Sequence, residues 1–282
     1  MKYLNILGLL LTTFSAWCQN KSDLPFIEHL INKGFHEEAI YRIGQSPIPK
    51  TEGERDSLSY FKGWAEYSLK NLQESTNSLL KVGETSNFYL KSQFFAGYNQ
   101  IFLGSYVQAK QIFNQINAVN DPNLSLVKLE LSGIEMLNGN WQKADVILQE
   151  INPEIATLNE QVVALSQICK IQSTRRAKSP LLAGIMSGVI PGSGKIYAGK
   201  TGEGIASFIS NTGFGLITWE NSRKLGFDHP KTILFGCIFM ANYISNIYGS
   251  VISVKITENE YKNATHNQIL FQLHIPLRNL FE

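Results

Sequence analysis

Two stretches, LGSYVQAKQIF at 103–113 and LNGNWQKADVIL at 137–148, decide the fold. Each carries a glycine (Gly104, Gly139), a ring two residues later (Tyr106, Trp141) and an alanine five residues later (Ala109, Ala144). An apolar residue follows four beyond the alanine, Phe113 in one and Leu148 in the other. Working outward, the same order recurs in a weaker form. Gly34, His36 and Ala39 make one set, and Lys70, Leu72, Ser75 and Leu79 make another. The four starts lie 36, 34 and 35 residues apart. That period belongs to stacked helix–turn–helix units. The turn residue must tolerate positive φ, which glycine does at no steric cost. The small residue marks close approach of the two helices, with the ring packed beneath. Gly63 and Gly97 stand seven residues before Lys70 and Gly104, where the first helix of a unit must also be slim. Turn signals separate the units: SPIPKTEGE at 46–54, VGETSN at 82–87, NDPN at 120–123 and Asn152-Pro153. A single helix over about 154–176 is expected to cap the stack.

The spacing of these sets resembles the tetratricopeptide repeat family over about 130 residues, which implies a repeat domain over 19–176 with about four repeats and a capping helix. His36, Lys70 and Ser75 depart from the usual ring, glycine and alanine of that pattern. The resemblance implies a helical solenoid with a concave surface that binds protein segments. Rings are dense in its middle, and Tyr60, Trp64, Tyr67, Phe94 and Tyr98 are the candidate protein-binding residues. Most rings in such a stack are core. Two or three lining the groove would act as anchors, because Trp and Tyr dominate many interfaces.

Beyond Lys178 the charge disappears. No Asp, Glu, Lys or Arg occurs in 179–194, 205–219 or 232–254. The last window suffices to span a hydrocarbon core of ~30 Å at ~1.5 Å per residue. The second needs its flanks, and the first is broken by Pro180, Gly184, Gly188 and the run Pro191-Gly192-Ser193-Gly194, as a short interfacial or re-entrant helix would be. The expectation is a membrane hairpin over 179–254. Polar residues recur at helical spacing, Ser207, Asn211 and Gly215 on one helix and Asn242, Asn246, Ser250 and Ser253 on the other. An amide in hydrocarbon needs a bonding partner, so these stripes should face each other or another partner. The core Pro191-Gly192-x-Gly194-x-x-Tyr197-x-Gly199, with Asn246-Ile247-Tyr248-Gly249, resembles small two-helix membrane hairpin domains. It is also similar to the C-terminal part of bacterial envelope proteins that join a signal peptide, helical repeats and such a hairpin. That resemblance implies a membrane-associated module and no particular activity. The all-α expectation is therefore a tetratricopeptide-like solenoid followed by a helical membrane hairpin.

The ends bear on location. Lys2, the apolar run Leu4–Leu11 and small Ala16 and Cys18 have the form of a signal peptide, residues 1–18, cut before Gln19. That places the mature chain outside the cytoplasm, and together with the resemblance implies a bacterial cell envelope with the repeats periplasmic. The 220–231 loop, with Arg223, Lys224 and Lys231, is then cytoplasmic. The stretch 255–282 regains charge and reads as an amphipathic tail, a short helix over 257–268 followed by a segment lying on the membrane or pairing with a partner.

Composition excludes several function classes. Across 282 residues Lys plus Arg is 25 and Asp plus Glu is 23, too balanced for a nucleic-acid binder. Charge of only 17% argues against disorder. Cys18, Cys169 and Cys237 make no disulfide framework, and the latter two are expected to be plain buried thiols. His29, His36, His229, His266 and His274 have no metal-ligand spacing and read as surface or packing residues. Gly194 to Thr201 fits G-x-x-x-x-G-K-T, yet bulky Ile196 and Tyr197 fill its interior and no strand precedes it. The leading expectation is a non-enzymatic, membrane-tethered adaptor with no cofactor. It would bind another envelope protein through the groove and the bilayer through the hairpin. An accessory subunit of a membrane transport or translocation complex is the alternative, and a nucleotide-binding protein the remote one.

Overall fold

The computed structural model describes residues 23–118, 121–152 and 155–281, so the expected signal peptide lies outside the described residues. Thirteen helices and no strand occur among them. Eight form four antiparallel pairs: α1 (Leu24–Asn32) with α2 (His36–Gln45), α3 (Glu52–Ser68) with α4 (Leu72–Leu79), α5 (Tyr89–Phe102) with α6 (Tyr106–Gln115), and α7 (Asp121–Leu137) with α8 (Trp141–Gln149). A further helix, α9 (Ala156–Thr174), falls within the expected 154–176.

The four turns are the same turn. Gly34, Lys70, Gly104 and Gly139 have φ of 80°, 66°, 78° and 81°. In each, the turn amide donates to the carbonyl three residues back and the next amide to the carbonyl five back. Gly104 N–H reaches Ile101 O at 3.0 Å and Ser105 N–H reaches Gln100 O at 2.8 Å, while Lys70 and Asn71 bond Tyr67 and Glu66 likewise. This is the Schellman ending, which meets the otherwise orphaned carbonyls of the first helix. The residue after the turn then starts the second helix. Lys70 therefore adopts glycine's conformation, and the register of the second unit is held.

The small positions behave as the close approach requires. Ala39, Ser75, Ala109 and Ala144 are all fully buried. Ser75 meets its burial cost by donating to Gly63 O at 2.8 Å and accepting from Asn99 Nδ2 at 3.0 Å. A Cβ on Gly63 would stand 2.6 Å from Leu79 Cγ, and one on Gly97 would collide with the Phe113 ring. In the fourth pair α7 presents buried Ser132 and α8 buried Leu148. At the entry to α3, Thr51 Oγ1 accepts from Glu54 N–H at 3.2 Å, an N-cap inside the predicted linker. His36, Tyr106 and Trp141 are only half-buried where the pattern led us to expect rings packed beneath.

The remaining helices are α10 (Pro180–Val189), α11 (Ser193–Ala198), α12 (Thr201–Leu225) and α13 (Pro230–Phe281). The chain forms two compact units, residues up to Cys169 together with Leu270–Glu282, and Lys170–Ile269. Two expectations are corrected here. The tail is not a separate piece after residue 254, because α13 runs unbroken for 52 residues. Cys237 is exposed, whereas Cys169 is buried and its thiol pushed up to about 11 by that burial.

Candidate functional site

In the first unit, three of the candidate binding rings receive a later helix of the same chain. Of the five candidate binding rings, Tyr60, Tyr67, Phe94 and Tyr98 are buried and Trp64 is half-buried. Tyr60 stacks on Phe88 at 4.2 Å, and Trp64 stacks on Tyr67 at 5.4 Å and meets Phe95 edge-on at 5.0 Å. The Lys91 ammonium lies 4.5 Å from the Trp64 ring centre. Tyr67, Phe94 and Tyr98 do more than pack with neighbouring helices: they receive the last turns of α13. Tyr67 Oη is hydrogen-bonded to His274 Nε2, and the His274 ring stacks on Tyr98 at 4.9 Å. Tyr98 O–H donates to Leu270 O at 3.2 Å, and Phe94 faces Phe281 at 5.4 Å. Gly133 on α7 presses on Leu273, whose side chain fills the space a Cβ would need. Leu273 and Leu277 have no exposed surface. The segment read as membrane-lying or partner-pairing is thus a helix packed against α3, α5 and α7.

Glu130 is the anomaly of this unit. It is fully buried, and neither carboxylate oxygen has a hydrogen-bond partner. Burial pushes its pKa well above the ordinary carboxyl value. It stands nine residues before Gly139, where the two preceding units have Phe61 and Phe95 nine before Lys70 and Gly104. The Tyr98 phenol is also pushed up, first by burial and then by Glu130. Glu135, one turn on, is the contrast. Partial burial works to raise its pKa, but hydrogen bonds from Lys143, Asn140 and Lys110 pull it down to about 2. The sequence analysis passed over Glu130 and Leu273 and read His274 only as a surface or packing residue; an acid in a column of two phenylalanines was the available signal for the first.

The second unit is built inside out. Ser187 and Ser250 have no exposed surface, and Asn211 and Asn246 almost none. Leu181 and Val189, by contrast, are 73% and 77% exposed, and Ile209, Ile244, Trp219 and Tyr248 are also exposed. The buried polar groups converge on the break between α10 and α11. Asn246 Oδ1 accepts from Gly192 N–H at 3.0 Å, and its Nδ2 donates to Ser187 O at 3.2 Å. Ser187 Oγ accepts from Gly194 N–H at 2.9 Å and pairs with Ser250 Oγ at 2.7 Å. Gly192 and Gly194 sit against the carbonyls of Gly204 and Ala183, which leaves no room for any side chain. Gly192 and Gly199 have φ of 84° and 97°. Tyr197 Oη accepts from Ser179 N–H at 3.1 Å, and Pro191 is half-buried. Asn242 reaches α12, donating to Ser210 Oγ at 2.6 Å, a residue outside the Ser207, Asn211 and Gly215 stripe. Asn246 and Ser250 face the broken first segment rather than α12, whose Asn211 turns back to Ser207 O at 2.8 Å.

Among the described residues one helix, α13, is long and apolar enough to cross a membrane. The two expected spans reduce to that one by this measure, because α12 carries Ser207, Ser210, Asn211 and Thr212 in its apolar stretch. The phosphate-loop match is not a cradle. Residues 193–198 are helical, the Lys195, Ile196, Gly199 and Lys200 amides already donate to backbone carbonyls, and Lys200 Nζ lies 3.7 Å from Glu203. No group of His, Cys, Asp and Glu suited to a metal occurs among the described residues. Comparison with protein families, curated proteins and solved structures returned no match.

Proposed function

We propose that the chain is a non-enzymatic, membrane-tethered protein-binding scaffold of the bacterial cell envelope, with a tetratricopeptide-like repeat domain over 19–176 and a membrane hairpin over 179–254. The observation that carries the binding half is the groove itself: Tyr67, Phe94 and Tyr98 already hold a helix. Four identical turns at a repeat-like period support the solenoid reading. The tether half is supported by the second unit's exposed aliphatic surface over a buried polar interior, the reverse of a water-soluble domain. A periplasmic repeat domain follows from the leader-like first 18 residues, and its partner is then another envelope protein.

The test joins membrane extraction to in-cell cross-linking. The chain is expected to stay in the pellet through an alkaline carbonate wash. A photoreactive amino acid in place of Lys91, at the rim of the Trp64 ring, is expected to give one discrete adduct with a second protein. Release by carbonate refutes the tether, and absence of any adduct refutes the scaffold.

A further inference from the structure

We propose that residues 270–281 are a ligand in cis of the repeat groove, and that the partner in trans is an amphipathic helix of the same spacing with a basic residue where His274 stands. The inference rests on the scaffold reading and names the chemistry of its partner. Leu270, Leu273, Leu277 and Phe281 fall at i, i+3, i+7 and i+11, one face of a helix, and His274 at i+4 shares that face. Helix-in-groove recognition is read by such anchors. The groove is shaped for this helix, since Gly133 leaves the space that Leu273 fills.

The cis segment is an imperfect occupant in two respects. Pro276 lies inside the docked helix, where it removes one backbone hydrogen bond and crowds the preceding turn. The helix beyond it therefore depends on the groove that holds it. Glu130 is the second defect. It lies one turn before Gly133 on α7, on the face that receives Leu273. No hydrogen bond from a described group reaches its carboxylate. A lysine or arginine in the His274 position would sit over the Tyr98 face, one residue on from Leu273, with a side chain long enough to turn toward that acid. The carboxyl proton passes to solvent, and the buried group gains the counter-charge it lacks. A tethered segment enjoys an effective concentration that a free partner must overcome with better contacts. The unmatched acid supplies the better contact.

The experiment uses the full chain in lipid nanodiscs and fluorescein-labelled peptides of residues 266–282, one of natural sequence and one carrying His274→Arg. Affinity is read by fluorescence anisotropy on the wild-type chain, on a Leu273→Asp/Leu277→Asp chain whose own segment is unseated, and on that chain with Glu130→Gln. Unseating is expected to tighten binding of the natural peptide about tenfold or more. The arginine peptide is expected to bind the unseated chain about tenfold tighter still, and Glu130→Gln to close that gap to about twofold. Equal affinity for wild-type and unseated chains overturns the proposal, as does an arginine preference that survives Glu130→Gln. If hydrogen exchange finds α3–α8 unprotected in the double variant, His274→Ala replaces it; a smaller rise in affinity is then expected, and no rise overturns the proposal. The two readings fail separately. Equal peptide affinities remove the cis ligand and leave the scaffold standing, whereas a missing adduct at position 91 removes the scaffold and leaves the peptide competition measurable.

Discussion

Replacing Glu130 with glutamine should change how stability depends on pH. The acid is fully buried and its native pKa is raised, so the folded chain keeps its proton while the unfolded chain releases it near pH ~4.3. Below that pH the group costs nothing through ionisation. Above it, folding loses about 1.4 kcal/mol for each pH unit over which the native side chain stays protonated, and the loss stops once the native pKa is passed. Glutamine has nearly the same volume and never ionises. It keeps a buried polar group, whose cost is an offset independent of pH. The difference in unfolding free energy, Glu130→Gln minus wild type, should therefore rise with that slope from pH 4 upward. The assay is urea unfolding of the detergent-solubilised full chain at several pH values, read by the fluorescence of Trp64 and Trp141. Depressed groups such as Glu135 act with the opposite sign but cancel in the difference. Parallel pH profiles for the two proteins would refute the reasoning, because they would mean that Glu130 is ionised or solvated in the fold.

Three further outcomes follow from the packing. Lys70→Gly should stabilise the repeats by about 0.5–1 kcal/mol, since a left-handed lysine costs ~1–2 kcal/mol and glycine's added chain entropy returns part of the gain; a lower urea midpoint would contradict it. Gly97→Ala should cost about 1–3 kcal/mol, because the new methyl meets the fully buried Phe113 ring and that ring has nowhere to retreat; Gly53→Ala, which meets nothing, is the neutral control in the same melt. Asn246→Ala strands Gly192 N–H and Ser187 O inside the second unit at about 1–3 kcal/mol each, and hydrogen exchange at the Gly192 amide should speed up before any change in α3–α8.

What was legible in the sequence was whatever repeats. The turn residues could be found because left-handed backbone selects glycine, and three of the four sites use it. The fourth, Lys70, was located by period alone, and its φ of 66° shows that hydrogen bonding of the turn outweighs the side chain's preference. Gly63 and Gly97 could be read because a helix contact at that distance admits no Cβ. Long-range choices were not legible. Nothing local says that the ring faces of Tyr67 and Tyr98 meet a helix some two hundred residues later in the chain. The charged stretch around Lys255 to Lys262 looked like the end of an apolar helix, whereas α13 simply carries its polar turns through it. Polar stripes on two helices called for each other or for another partner, and nothing local told which: Asn246 and Ser250 are committed to a backbone break that has no side chain of its own to announce the demand.

That commitment keys α13 in place. Apolar helix faces are nearly interchangeable from one residue to the next, so a pair held by dispersion alone slips along or about its axis at little cost. The Asn246 amide uses both its ends, one on each side of the break. A shift of α13 by one residue is ~1.5 Å of travel and ~100° of rotation, and it withdraws both ends at once while leaving two backbone groups with no water to replace them. The arrangement works as a notch: many positions along the helix are tolerated by its surface, and one is permitted by its single buried amide.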